Sequence, residues 1–497
     1  MTSLSKALTE TPWRTIAIAI GLITLARLVG LYFNVLNLGP DETQYWHWSQ
    51  TPAFGYFSKP PMIAWVIGLS TSVLGDAEWA VRAPFPIIHG GTALVLFALA
   101  KRLYTADVAF WASLAYATLP AVSLSSSLAT TDVPLLLFWS LALLWFHKLI
   151  TDGGWTAALA TGVFVGLGLL SKYAMVYFPI GMALVFAVSR EARRAVKPTQ
   201  LVAIAGIVGL SLTPNILWNL QNDFSTVSHT AANANWGASL FNFDKFWKFF
   251  TDQFGVFGPI FFAALLGGAV TFQKRLAEAG YKAFSHMYLA SFAAPPLLVV
   301  SIQAFISRAH ANWAASAYPA AIILVAAWLL RARIGGWLFK GSVAFHAALA
   351  IIVGYLMTAP GPQVDALGLS NAVKRLRDWP EQGAAVAEAA TEYNVDAILL
   401  DDREVMGELL YYARPRDVPI VAWRWSGVPH NHYELTSPFD AGAYDRVLYV
   451  TRHNGGPAEA ILEQFENVTT RPPHIAQLDY KRTRTLYFYE LSGFKGE

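Results

Sequence analysis

Gly39-Pro-Asp-Glu-Thr-Gln-Tyr-Trp-His-Trp-Ser49, with Gly55-Tyr-Phe-Ser-Lys-Pro-Pro61 close behind it, is the stretch on which the reading of this chain turns. It sets two adjacent carboxylates, Asp41 and Glu42, and one lysine, Lys59, immediately after the first long apolar segment, Ile16–Phe33. Acids at a membrane boundary are costly to dehydrate, so a pair kept among aromatics there reads as functional. Lys59, held before two prolines, offers a cation of fixed direction. Together they point to chemistry on a charged, lipid-linked ligand at one face of a membrane.

Composition agrees. Hydrophobic residues are 55% of 497 positions and charged residues only 14%, well under the soluble average of roughly 25%. Several apolar runs reach the ~20 residues a helix needs to cross a bilayer. The formal charge of +3 is too small to argue for nucleic acid, and the absence of cysteine excludes disulfides and thiolate chemistry. No small-residue cleavage site follows the first apolar run, which therefore reads as a retained span rather than a signal peptide.

Eleven spans are expected: 14–34, 83–103, 107–125, 131–149, 155–171, 174–189, 200–219, 254–272, 284–306, 313–331 and 341–358. Met62–Leu74 is apolar but too short to cross and reads as interfacial or re-entrant. With a cytoplasmic N-terminus every inner turn is basic, from Lys101-Arg102 through Lys148, Arg190 to Lys197, and Lys274 to Arg331 and Lys340, as the positive-inside rule asks. The outer face then carries the first loop, 37–82, and a second loop, 220–252. Lys59, Arg82, Lys172 and Arg308 all fall at outer span ends, with Lys245 and Lys248 in the second outer loop. Acids gather on that face too: Asp41, Glu42, Asp76, Glu78 and Asp132.

After Thr358 the character changes. Residues 359–497 hold no membrane-length apolar run, and the expected strands 397–400, 419–423, 446–450 and 485–490 alternate with a helix over 404–413. The expectation is a membrane domain over 1–358 and a small α/β domain over 359–497, left outside by the odd number of spans.

The ordered set Asp41-Glu42-x-x-Tyr45-Trp46, Gly55 to Pro61, and Asp132 after two threonines resembles the GT-C membrane glycosyltransferases. Within them it looks like the branch of the protein O-mannosyltransferases and the lipid A aminoarabinose transferase. Gly168-Leu-Leu-Ser-Lys-Tyr173, Asn312-Trp313 and Tyr318-Pro319 extend the likeness over nearly the whole chain. The resemblance implies inverting transfer of a sugar from a polyprenyl, such as undecaprenyl, phosphate on the periplasmic side of a bacterial inner membrane. The acceptor would be a lipid, a glycan or a protein, with lipid A or another envelope glycan favoured. It implies Asp41 as base at the acceptor, Asp132 in support on the acceptor side, and Lys59 with Lys172 on the donor phosphate. Arg82 and Arg308 are further candidates for the phosphate. Glu42, Tyr45, Tyr56, His310 and Asn312 are candidate substrate contacts.

The residue types suit that chemistry. A phosphate leaving group needs its developing charge stabilised, which lysine and arginine do in a water-poor site. The attacking group needs a carboxylate to take its proton. A single in-line displacement inverts the anomeric centre and needs no second carboxylate opposite, unlike ordinary glycoside hydrolysis. Plainer roles stand beside these. Asp41 could cap the helix that follows it, and Asp132 could be a helix N-terminal acid aided by Thr131. Lys59 could snorkel, and Arg27 reads as a structural pairing inside the first span. Tyr45, Trp46, Trp48, Tyr56 and Phe57 read most simply as interfacial anchors, and His47 as lining the aromatic face of its helix. The histidines show no metal-ligand spacing, so no metal site is expected, although a divalent cation near the lysine loop is an option the resemblance carries. Ser58 stands where an acid often precedes the lysine. The rival class is a lipid or solute transporter, against which the absence of an inverted repeat counts.

Overall fold

The computed structural model describes residues 10–234 and 241–496; residues 235–240 of the expected outer loop lie outside the described residues. The chain is a multi-pass α-helical membrane protein with a small C-terminal sheet. It divides into two compact units. The first comprises 1–32, 59–66 and 82–354, and the second comprises 33–58, 67–81 and 355–497.

Among the described residues seven helices are long and apolar enough to cross a membrane, eight if one bent pair counts as a span. The other expected spans fall on shorter helices. The stretch 107–125 divides into Ala106–Thr118 and Pro120–Ser125, because Pro120 cannot continue a helix. Trp155–Ser171 and Tyr173–Val188 flank the break at Lys172. The expected span 254–272 is instead a helix pair, Phe243–Phe257 and Pro259–Val270, bent by 117°. Gly258 makes that bend: its φ is +94°, and a Cβ there would stand 2.2 Å from the His346 ring.

In the first unit, packing depends on small residues, as expected where the surroundings are as apolar as the side chains. Gly162-Val-Phe-Val-Gly166 lets helix Trp155–Ser171 lie against helix Pro198–Gln221, since a Cβ at Gly166 would meet Ser211 at 2.6 Å. An aromatic cluster fills the centre, with Phe178 and Phe292 rings 4.6 Å apart and Trp139 edge-on to Phe178 at 5.2 Å. Arg27 donates to the Ala117 carbonyl at 2.5 Å and to Ser123 Oγ at 3.2 Å, the structural pairing expected of it.

The second unit is built on a five-stranded sheet: β1 (Ala397–Leu400), β2 (Ile420–Ala422), β3 (Arg446–Thr451), β4 (Phe465–Gln477) and β5 (Thr483–Phe494). Their order is β2-β1-β3-β5-β4, parallel around β1 and antiparallel from β3 through β5 to β4. Side chains alternate between two apolar layers. Ile398, Leu400, Leu448 and Val450 pack on one face, Leu399, Val447 and Tyr449 on the other. β4 was not expected from sequence, because Pro472-Pro473 lies within it. It is tolerated because β4 is the sheet edge and its register shifts between Arg471 and His474. Helix Trp379–Glu392 was also not expected.

Candidate functional site

Candidate side chains form two groups, one within each unit. In the first unit, helix Asp132–Thr151 opens on Asp132, 8% exposed. Thr131 sits at the N-cap without a side-chain cap bond, so the threonine assistance expected there does not occur. Both Asp132 oxygens are engaged instead: Lys172 Nζ donates to Oδ1 at 2.7 Å and Asn312 Nδ2 to Oδ2 at 2.7 Å. These partners are 40 and 180 residues away in the chain. Lys172 reaches Asp132 from an extended residue, φ −161° and ψ 135°, that separates two helical segments. Its neighbour Tyr173 is anchored by donating to Asn215 Oδ1 at 2.9 Å. Asn312 lies in the short 3-10 helix Ala311–Ala317, whose Ala311 carbonyl accepts from Gln253 at 3.2 Å.

His310 sits next to that helix. Burial and then the charges of Arg308, Lys172 and Lys59 hold its imidazole below the ordinary histidine range. Three of the expected donor-phosphate cations therefore bear on one ring. Lys59 is half-buried, while Arg308 is exposed and has no ion-pair partner among the described residues. Arg82 is 1% exposed at the end of helix Glu78–Arg82.

In the second unit, Gly39 caps helix Pro40–Gln50, not Asp41. Pro40 occupies the first turn, where its missing N–H costs nothing, and Glu42 turns back to accept from the Gly39 N–H at 2.9 Å. Glu42, 4% exposed, is thus occupied in fixing the helix start. Asp41 faces outward, its side chain 66% exposed, and accepts from Arg403 Nη1 at 3.2 Å. The same guanidinium nitrogen donates to Gln44 Oε1 at 2.8 Å.

The aromatics of this helix and of the segment that follows it were expected to be interfacial anchors, and they are buried instead. Tyr45, Trp46, Trp48, Tyr56 and Phe57 are all buried, because 355–497 supplies apolar cover that a sequence scan does not foresee. Tyr56 stacks on Trp48 at 4.7 Å, and its hydroxyl donates to the Trp48 carbonyl at 2.9 Å. Tyr45 packs 5.3 Å from Trp48. Two of the acids expected on the outer face bind helix Arg403–Tyr412 and Arg414, two residues beyond it. Asp76 accepts from Trp46 Nε1 at 2.7 Å and pairs with Arg414 at 3.7 Å, and Glu78 accepts from the Tyr412 hydroxyl. Lys248 pairs with Asp252 along its own helix, an ordinary surface pair.

Sequence reading missed Arg403, Gln44 and His432. Arg403 lies 362 residues from Asp41, so no local pattern joins them. His47, by contrast, lines an aromatic surface as expected, 5.6 Å from the Tyr433 ring. Burial, with the charge of Arg416, lowers the His47 imidazole to about 4. Burial, with His47 beside it, lowers His432 to about 3. Both are neutral at pH 7, whereas the unfolded chain takes up protons near 6.5. The unfolded state therefore binds more protons below that value, and stability that is complete above pH 6.5 is lost as pH falls. At pH 5 the loss is about 2 kcal/mol for each histidine taken alone. Thermal unfolding at pH 5 should begin at lower temperature than at pH 7.5, and His432→Phe should reduce the difference, leaving the part due to His47. Equal midpoints at both pH values would contradict this.

Among the described residues no group of three or more His, Asp or Glu is gathered in a metal-binding arrangement.

Residues 58–218 match the family described as dolichyl-phosphate-mannose-protein mannosyltransferase. The lipid A galacturonosyltransferase RgtD of Rhizobium johnstonii is 36% identical over 435 residues, 86% of this chain and 89% of that protein. The undecaprenyl phosphate-alpha-4-amino-4-deoxy-L-arabinose arabinosyl transferase 1 of Pseudomonas fluorescens is 30% identical over 175 residues, 31% of this chain and 32% of its own. The crystal structure of ArnT from Cupriavidus metallidurans bound to undecaprenyl phosphate shares the fold. It has a TM-score of 0.62 and 16% identity, covering 97% of this chain and 98% of that one.

Proposed function

Since this chain belongs to the GT-C membrane glycosyltransferases, in the group of the lipid A galacturonosyltransferase that it matches along most of its length, we propose that it transfers a uronic acid from undecaprenyl phosphate to lipid A at the periplasmic face of the inner membrane. It is a glycosyltransferase using a polyprenyl phosphate donor.

The acceptor hydroxyl oxygen attacks the sugar C1 as Asp41 takes its proton. The C1–O bond to phosphate breaks, the polyprenyl phosphate leaves with the electron pair, and the anomeric centre inverts. Lys59 and Lys172 hold the phosphate, whose charge rises as the bond breaks. Asp132, with both oxygens already occupied, positions Lys172 and Asn312 rather than moving a proton. Glu42, Tyr45 and Tyr56 support the helix that carries Asp41, and Arg82 is assigned to the framework.

The observation that carries the sugar assignment is the charge around His310. A phosphodiester brings one negative charge, and Lys172 is already balanced by Asp132. Arg308, with no ion-pair partner among the described residues, suits a second anion, and its planar fork matches a carboxylate. A cationic amino sugar would meet like charge there.

Mass spectrometry of lipid A from cells with and without the protein tests this directly. A uronic-acid increment present only with the protein is expected. An aminopentose increment, or unchanged lipid A beside an altered glycoprotein, would overturn the assignment of substrate.

A further inference from the structure

Arg403 opens helix Arg403–Tyr412 just after the cap Asp402, whose carboxylate accepts from the Glu404 and Val405 N–H groups. A cation in the first turn works against the helix dipole, so its own helix gains nothing from it. Asp402 does not hold it either, since Asp402 pairs with Arg452 at 2.6 Å. The guanidinium turns instead to helix Pro40–Gln50, where one nitrogen bridges Asp41 Oδ1 at 3.2 Å and Gln44 Oε1 at 2.8 Å. Gln44 is buried, 3% exposed, and so fixes the guanidinium in place. The two helices lie close because position 407 is glycine: a Cβ there would stand 3.0 Å from both Thr43 Oγ1 and the Tyr433 hydroxyl. Burial opposes the charge on Arg403, while Asp41, Tyr433 and Glu404 outweigh it and hold the guanidinium above its ordinary value.

We propose that Arg403, contributed by the C-terminal portion of the chain, is a positioning residue that fixes the Asp41 carboxylate for proton removal from the acceptor. This rests on Asp41 being the base. Asp41 is exposed and, without an anchor, would sample several rotamers, while the bridge to Gln44 selects one. A misplacement of about 1 Å at a reacting group can cost 10²-fold, so the anchor acts on turnover and not on donor capture. The C-terminal portion is then part of the catalytic apparatus as well as a folded unit.

The test uses the full-length protein in lipid nanodiscs, with undecaprenyl-phosphate-linked uronic acid and lipid A. Arg403→Gln should lower kcat by about 10- to 100-fold, with the KM for donor within about twofold of the parent and an unchanged thermal midpoint. Arg403→Lys, which keeps one charged donor, should recover part of the loss. Gln44→Met, which frees the guanidinium without removing it, should give a smaller loss of kcat. Full turnover by Arg403→Gln and Gln44→Met, beside an inactive Asp41→Asn, would overturn the positioning role and leave the base assignment standing. An active Asp41→Asn would instead overturn the base assignment itself. Loss in Arg403→Gln matched by a fallen thermal midpoint, with no recovery in Arg403→Lys, would reduce Arg403 to a structural contact.

Discussion

Asp41→Asn is expected to lower sugar transfer by about 10²- to 10⁴-fold, the usual worth of a positioned general base. The amide keeps the shape of the side chain and can still accept from Arg403 at the position where the carboxylate does so now. Folding should be untouched, because the cap of helix Pro40–Gln50 is Gly39, completed by Glu42. Binding of undecaprenyl phosphate should also persist, since the cations around His310 are unchanged. Turnover and donor affinity measured on the same preparation check this. A variant that loses donor affinity as much as turnover would show Asp41 acting on the donor instead.

Lys172→Met should have the largest effect on stability and donor affinity together. It leaves Asp132, 11% exposed in its side chain, with Asn312 as its remaining donor among the described residues. Breaking a buried pair from one side costs about 3 kcal/mol or more. Loss of a charge-assisted hydrogen bond to the donor phosphate should weaken binding by about 10- to 100-fold. The double variant Asp132→Asn/Lys172→Met separates the two effects, because it removes the stranded charge but supplies no cation. Its thermal midpoint should return most of the way while donor affinity stays low. If affinity returned as well, Lys172 would serve only to neutralise Asp132.

The two experiments probe different groups of side chains, and the physical basis of each differs. Asp41 is exposed and anchored by one exposed-to-buried bridge, so its value is in geometry. Asp132 is buried with one donor on each oxygen, so in the proposed mechanism its value is in holding two other side chains where they are. Near the start of a helix either acid could have had either role.

Composition and the long apolar runs determined the membrane class, and the ordered motifs from Asp41 through Lys172 to Asn312 determined the family. Strong hydrophobic patterning and fixed short spacings survive any tertiary arrangement, and this is why they were legible. Strands β1, β2, β3 and β5 could be read for the same reason, being apolar or alternating over a few residues. Tertiary structure decided the rest. It shortened or bent several expected spans at Pro120, Lys172 and Gly258, where one residue's backbone overrides the hydropathy of its neighbours. It buried Trp46, Trp48 and Tyr56, which composition alone would leave at an interface. It paired Asp132 with Lys172 and Asn312, and Asp41 with Arg403, across 40, 180 and 362 residues. Charge partners so far apart leave no periodicity in the chain, because only folding brings them within reach of one another.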